Sequence, residues 1–575
     1  MAKSKTAKSN KTWFGMTGAR LTFWVTVACA TDMTLFGYDQ GKSTLLQKSG
    51  VVVTKDYLNT FGLRNNPSLL GTITAIYDIG CFFGAILAFV VGDRLGRKKT
   101  ILLGTTVMSV GAILQIVSWS VPQLIVGRIV AGIGNGLNTA TAPVWQSETS
   151  KTSWRGKLVV IEMVFNIFGF CLSNWVTFGF SFVDSPVSWR VPLAFQFLFI
   201  FILFATVPWL PESPRWLVSH GRISEAEEIL ADLEDTGIDD PYIITQSREI
   251  QWAANYEREH AVRWRDLLRG RTGDAAGTST LRRMILGMGT QAMQQLSGIN
   301  VTSYYLPTVL IESVGQTETM ARLLAACNSV SYLLFSLIGI PNVERWGRRK
   351  MMMYAALGQG ICYLMITILI GLNETEGFDY QKQAAEASIA FFFLYYVFFG
   401  IGWQGVPWLY PTEINSLSMR TKGAAAGTAT NWMFNFIVVE ITPIGIASLK
   451  WRFYIIWTLM NLAFVPIVYI FYPETADRSL EDVDRFFSEN QNVLVFRDKE
   501  AISGRRPARY LEREVEEYRQ HSANNSRRNS VGTIRVEELH WAPLMGRMAI
   551  ENNTRMTQQW PNLYHYLLYT SDLVE

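Results

Sequence analysis

Gly92-Asp93-Arg94-Leu95-Gly96-Arg97-Lys98 closes one long apolar run, and Glu344-Arg345-Trp346-Gly347-Arg348-Arg349-Lys350 closes another late in the chain. Both strings order an acid, a glycine and a cluster of bases in the same way. Two further echoes keep that order. Glu148 and Arg155 recur at the same internal spacing as Glu413 and Arg420, and Pro211-Glu212-Ser213 recurs as Pro473-Glu474-Thr475. Three echoes in sequence divide the chain into two related halves.

What lies between the echoes is apolar. Of the 575 residues 49% are hydrophobic and 17% charged, a balance that makes lipid the main solvent. A bilayer core takes about 20 apolar helical residues to cross. Runs of that kind predict twelve spans, at 21–41, 68–91, 100–119, 122–143, 158–180, 190–209, 284–310, 322–343, 351–372, 387–411, 423–447 and 452–472. The expected architecture is an all-α membrane protein with two pseudo-symmetric six-helix bundles, 21–210 and 284–473. A tail at 1–20 precedes them, a linker at 211–283 joins them, and a largely disordered tail at 474–575 follows. In the linker, Glu225-Ala226-Glu227-Glu228-Ile229-Leu230 and Arg263-Trp264-Arg265-Asp266-Leu267-Leu268 read as short amphipathic helices.

Charge orients the spans, because Lys and Arg beside them stay on the cytoplasmic face. Lys3, Lys5, Lys8 and Lys11 precede the first span, and Arg94, Arg97, Lys98 and Lys99 follow the second. Lys151, Arg155 and Lys157 follow the fourth, Arg345, Arg348, Arg349 and Lys350 the eighth, and Arg420 and Lys422 the tenth. All fall on one side, so both termini are expected in the cytoplasm. The first apolar run carries Asp32 and Asp39 and is too long for a cleaved leader, so it is read as a retained span.

Several chemistries find no support. The five cysteines fall inside predicted spans and imply no disulfide framework, and the five histidines fall outside them, which argues against intramembrane metal or histidine proton-relay chemistry. Gly41-Lys42-Ser43 follows Phe36 where a phosphate loop requires its first glycine. No cofactor, nucleotide or nucleic acid is implied. Asn373-Glu374-Thr375 fits a glycosylation sequon in an outer loop, and Arg527-Arg528-Asn529-Ser530 suits a basic-directed kinase, leaving room for cytoplasmic regulators of the tail.

These strings, with Pro211-Glu212-Ser213-Pro214-Arg215-Trp216-Leu217 and Gln294-Gln295-Leu296-Ser297-Gly298-Ile299-Asn300, resemble the sugar porter family of the major facilitator superfamily, fungal type, over about 20–480. The resemblance implies alternating access by two bundles around a sugar held between them. It assigns a cytoplasmic latch to Asp93, Arg97, Glu148, Arg155, Glu344, Arg348, Glu413 and Arg420, tying one bundle to the other when the protein opens outward.

For a substrate site, polar residues at mid-depth are the guide, since apolar spans otherwise lack them. Gln294 and Gln295 lie about 15 Å into the seventh span at 1.5 Å per residue. Asn300 is off their face in a regular helix, and a break at Gly298 is expected to bring it round. Trp403, Asn431 and Trp432 match the family's remaining sugar-contacting positions, amides for hydroxyls and indoles for the apolar face of a pyranose. The chain departs from the hexose pattern at Met163, beside Glu162, and at Tyr332, one turn from Asn328.

Asp39 and Arg128 lie at matching depth near the outer ends of the first and fourth spans, and the resemblance implies that they couple transport to a proton. Asp32, Asp78 and Glu440 are further intramembrane acids without an assigned role. The resulting expectation is a plasma-membrane monosaccharide transporter, hexose or pentose, working as a proton symporter. A facilitative uniporter, a polyol, quinate or disaccharide carrier, and a non-transporting nutrient sensor remain open.

Overall fold

The computed structural model describes residues 15–42, 57, 60–61, 67–150, 155–183, 185–259, 279–416, 419–478, 480–489 and 492–503. The Arg263–Leu268 string, the kinase string at Arg527–Ser530 and the lysines before residue 15 lie outside them, as does the side chain of Arg155. Among the described residues every regular element is helical.

The first half runs through span 1 (Gly18–Lys42), span 2 (Pro67–Leu95), span 3 (Arg97–Ile116), span 4 (Val121–Thr149), span 5 (Arg155–Phe180) and span 6, in two pieces (Val187–Phe195 and Phe197–Thr206). The second half repeats the count. Span 7 is broken into Thr280–Leu296, Ile299–Ser303 and Leu306–Glu312; span 8 is Glu318–Trp346 and span 9 Arg348–Asn373. Span 10 joins Gln381–Phe398 to Val406–Ile414 through a π turn at Phe399–Trp403, span 11 is Arg420–Leu449 and span 12 Phe453–Phe471.

By length and apolar composition, eight helical segments among the described residues suffice to cross a membrane, the last of them running through spans 11 and 12 together. Spans 1, 4 and 7 are not among the eight. Their sequences carry the reason: span 1 holds two aspartates, span 4 holds Arg128, Asn135 and Asn138, and span 7 is interrupted at Gly298. The polar spans are the ones that build the sites below.

Spans 2 and 4 approach backbone to backbone. A Cβ on Gly80 would meet the Ile129 carbonyl and one on Gly136 the Cys81 carbonyl, so small residues let these helices touch without side chains between them. The halves meet at the end away from the termini, where the Thr72 hydroxyl of span 2 donates to Glu440 Oε1 of span 11 at 2.8 Å. Mid-way along spans 5 and 8, Phe170 meets Tyr332 edge to face at 6.4 Å. On the termini side a narrow crevice separates spans 5, 8 and 10, lined by Val160, Met163, Ser336, Val343 and Gln404.

The linker folds as helices at Pro214–Ser219, Ile223–Glu234 and Pro241–Glu259. The segment after span 12 corrects the expectation of disorder from residue 474 onward. Leu480–Glu489 is a helix, with Val483, Phe486 and Phe487 buried in the core of the second half. Arg283 at the start of span 7 is ion-paired with Asp484, donates to the Val483 carbonyl at 3.1 Å and lies 4.6 Å from the Phe487 ring. The amphipathic face of that helix is the missed signal. Truncation after Ser503 is therefore expected to leave thermal stability unchanged, whereas truncation before Leu480 removes this helix, uncovers the apolar surface on which it packs and lowers the melting temperature of the purified protein by several degrees.

Asn373, the sequon asparagine, ends span 9 with its amide donating to the Ser313 carbonyl at 3.1 Å.

Candidate functional site

Two clusters at the termini side repeat the same construction, and they explain the echoes. Gly96 and Gly347 are the single residues between spans 2 and 3 and between spans 8 and 9, at φ of 85° and 80° with extended ψ, a region open essentially to glycine. Each turn aims the next two backbone N–H groups at a carboxylate. Glu212 accepts from the N–H of Arg97 at 2.9 Å and of Lys98 at 3.3 Å, and Glu474 from Arg348 at 2.8 Å and Arg349 at 3.1 Å. Both acids cap a helix start, where the dipole favours negative charge. Burial still holds the Glu212 carboxyl above its usual range, against those donors.

From the same turns, Arg97 grips Glu148 through Nε at 2.9 Å and Nη2 at 3.0 Å, and Arg348 grips Glu413 through Nε at 3.1 Å and Nη2 at 2.6 Å. Ser213 and Thr475 add hydroxyls to those glutamates at 2.6 Å each. Arg348 also binds Glu344, at 2.7 and 2.8 Å, whereas Asp93 bears on Arg97 electrostatically and lends its carbonyl to the Trp216 indole. Among the described residues these ionic ties close within a half: each turn points its arginine back over the end of span 4 or span 10. Gly96→Ala, forced into a glycine-only conformation with its Cβ 2.5 Å from Glu212 Oε2, is expected to cost about 2 kcal/mol of stability, read as a lower melting temperature in detergent.

Within the second half, span 7 and span 11 join in an amide network. The Gly298 break, at φ 86°, turns Asn300 back so that its Nδ2 donates to Gln295 Oε1 at 2.6 Å and Asn435 Oδ1 at 2.9 Å. Asn431 is the hub. It accepts from Gln295 Nε2 at 3.1 Å and donates to Gln291 Oε1 at 2.6 Å and Gln294 Oε1 at 2.8 Å. Gln291 and Gln294 in turn donate to the carbonyls of Pro407 and Trp403 in span 10, each at 2.7 Å. Six buried amides are thus in contact, each able to donate and to accept. Gln291 and Asn435 escaped the sequence reading although each lies one turn from a residue it named.

The two tryptophans separate. Trp432 of span 11 packs edge to face on Phe36 of span 1 at 5.4 Å, and its buried indole N–H has no acceptor in reach. Trp403 instead turns into the second half, its indole donating to the Met352 carbonyl at 3.0 Å and its ring 5.9 Å from Phe464. Trp408, on the next turn of span 10, is half-buried against the cluster that holds Trp432 and Phe36. Tyr332, hydrogen-bonded to Gln404 and stacked on Tyr396, fills space on the span 8 side.

Asp39 and Arg128 are both buried near the end away from the termini. Arg128 Nη2 donates to the Thr74 carbonyl at 2.8 Å, and its guanidinium lies 5.4 Å from the Tyr77 ring. Asp39 bears electrostatically on Tyr77, and Asp78 lies within reach of Arg128, so span 2 stands between the two groups as an aromatic and acidic partner to both. Asp78 is thereby a third member of this cluster. The side chain of Arg420 is half-buried at the foot of span 11.

A family profile described as sugar (and other) transporter matches residues 24–487. The chain belongs to that family. This transporter is 57% identical to the MFS-type transporter oryC of Aspergillus oryzae, over 94% of its own length and 98% of that protein's. It is 34% identical to the sugar transporter STL1 of Saccharomyces cerevisiae, covering 84% of each. Among solved structures, the proton:xylose symporter XylE bound to 6-bromo-6-deoxy-D-glucose superposes with a TM-score of 0.67 at 24% identity, over 82% of this chain and all of that one. That likeness establishes the major facilitator fold, two bundles of six spans. The protein is a multi-pass membrane transporter and not an enzyme.

Proposed function

We propose that this transporter carries a monosaccharide across the plasma membrane by alternating access, driven by a proton that binds at Asp39. The amide network around Asn431 carries the substrate reading. It offers donors and acceptors suited to hydroxyls, and Trp432, next to Asn431 in span 11, packs on Phe36 of the first half. The relation to STL1, named a sugar transporter, supports the same class. For coupling, the buried Asp39 and Arg128 supply a carboxylate that gives up its charge when a proton arrives and an arginine that is then released toward span 2. Both termini face the cytoplasm in this reading, with the linker helices and the basic ends of the spans.

Radiolabelled glucose and xylose uptake in yeast lacking hexose transporters, with and without a protonophore, tests it. Wild type is expected to accumulate one of them and to lose accumulation with protonophore or Asp39→Asn. Uptake insensitive to both makes the protein a facilitator. A second reading, a polyol or another small polar solute, is favoured by Met163 and Tyr332, which put apolar and aromatic surface where the resemblance places amides. Uptake of glycerol or an alditol, without either sugar, selects it.

A further inference from the structure

Two carboxyl groups inside the first half take part in neither site described above. Asp32 of span 1 and Glu162 of span 5 are 2% and 0% exposed and lie within electrostatic reach of each other. Asn138 of span 4 donates to Asp32 Oδ1 at 2.8 Å and to Thr105 of span 3 at 3.1 Å. Asp32 Oδ2 and both oxygens of Glu162 meet no donor. The titratable group that bears on both is the Cys29 thiol of span 1, itself turned to the Ala142 carbonyl of span 4 at 3.7 Å. Among the described residues no Lys, Arg or His acts on either carboxyl.

Two neighbouring negative charges in a bundle interior, with one amide donor on Asp32, none on Glu162 and no cation, are untenable; the pair sheds one charge by taking a proton. Burial disfavours a charged carboxyl far more than a neutral one. Val160 and Met163 of the same span line the crevice between the halves, and Glu162 stands outside that lining. Asp39 lies two turns further along span 1 from Asp32, about 10 Å away at 1.5 Å per residue.

We infer that Asp32 and Glu162 are a buried carboxyl pair that carries one proton, a second protonation site closer to the termini side than Asp39. The proton comes from hydronium in the solvent, which is left as water, and makes one O–H bond at a carboxylate oxygen; no other covalent bond changes. The site stands without any assumption about the substrate or about coupling at Asp39.

Infrared difference spectroscopy of the purified full chain in lipid, titrated with pH, reads it directly. A protonated-carboxyl C=O band at neutral pH is expected in wild type and in Asp39→Asn, and its loss is expected in the isosteric double variant Asp32→Asn, Glu162→Gln. Should the double variant fail to elute as a single species, each single variant is expected to shift the band, because the surviving carboxyl loses its acidic neighbour. A band that persists unshifted in these variants overturns the proposal. So does a band that disappears when choline chloride is exchanged for sodium chloride, which would place a metal cation at the pair.

Discussion

Asn431→Ala is expected to cut substrate uptake by roughly 30- to 100-fold, with the protein still reaching the membrane. The substitution removes three hydrogen bonds at once, those with Gln291, Gln294 and Gln295. At about 1 kcal/mol for each neutral hydrogen bond the loss is about 2 to 3 kcal/mol, and 1.4 kcal/mol is a factor of ten. Folding is expected to tolerate the change because span 11 keeps its packing elsewhere, including the Trp432 contact with Phe36. Asn431→Gln, which keeps an amide on a longer stem, is expected to recover part of the uptake. Initial rates with surface expression measured in parallel check both, and full uptake in Asn431→Ala would remove the network from the substrate path.

The second large effect concerns stability. Arg348→Ala is expected to destabilise the protein by about 3 kcal/mol, the low end for breaking a buried ion pair, since Glu344 is half exposed and Glu413 is not. It leaves Glu413 with the Thr475 hydroxyl alone. Arg348→Lys is expected to recover little, because a lysine cannot hold two carboxylates in fork geometry. Thermal melting in detergent measures it. An unchanged melting temperature accompanied by a shift in the balance between open states would mean that this arginine acts across the halves after all.

The repeat, the span count and the helical linker were legible because membrane spans announce themselves by length and composition, and because the motif strings sit at helix ends where backbone needs dictate residue type. Gly96 and Gly347 are a case: a φ near 80° leaves no other residue comfortable. The amide network was half legible. Gln294, Gln295 and Asn300 follow from depth and from a glycine that breaks a helix, Asn431 follows from the resemblance, and the structure joins the four by hydrogen bonds. Trp408 went unnamed beside Trp403, because a π turn lies between them and rotates the faces of span 10 relative to a regular helix. The docking of Leu480–Glu489 was lost for a different reason: a short helix with charges on one face reads as solvated until its partner, the Arg283 end of span 7, is known.

The interruption at Gly298 has a mechanical meaning. Its carbonyl is held by the Tyr363 hydroxyl of span 9 at 2.7 Å, and its Cα leaves no space for a side chain against that ring. Span 7 is thus pinned at a pivot, with Gln294 and Gln295 on one arm and Asn300 on the other. Under the function proposed above, a ligand that draws hydrogen bonds from both arms would work the pivot as a lever on the outer arm, Leu306–Glu312. Selectivity and gating would share one joint, and a substitution that loosens the pivot is expected to alter which molecules are accepted and how fast they pass in the same stroke.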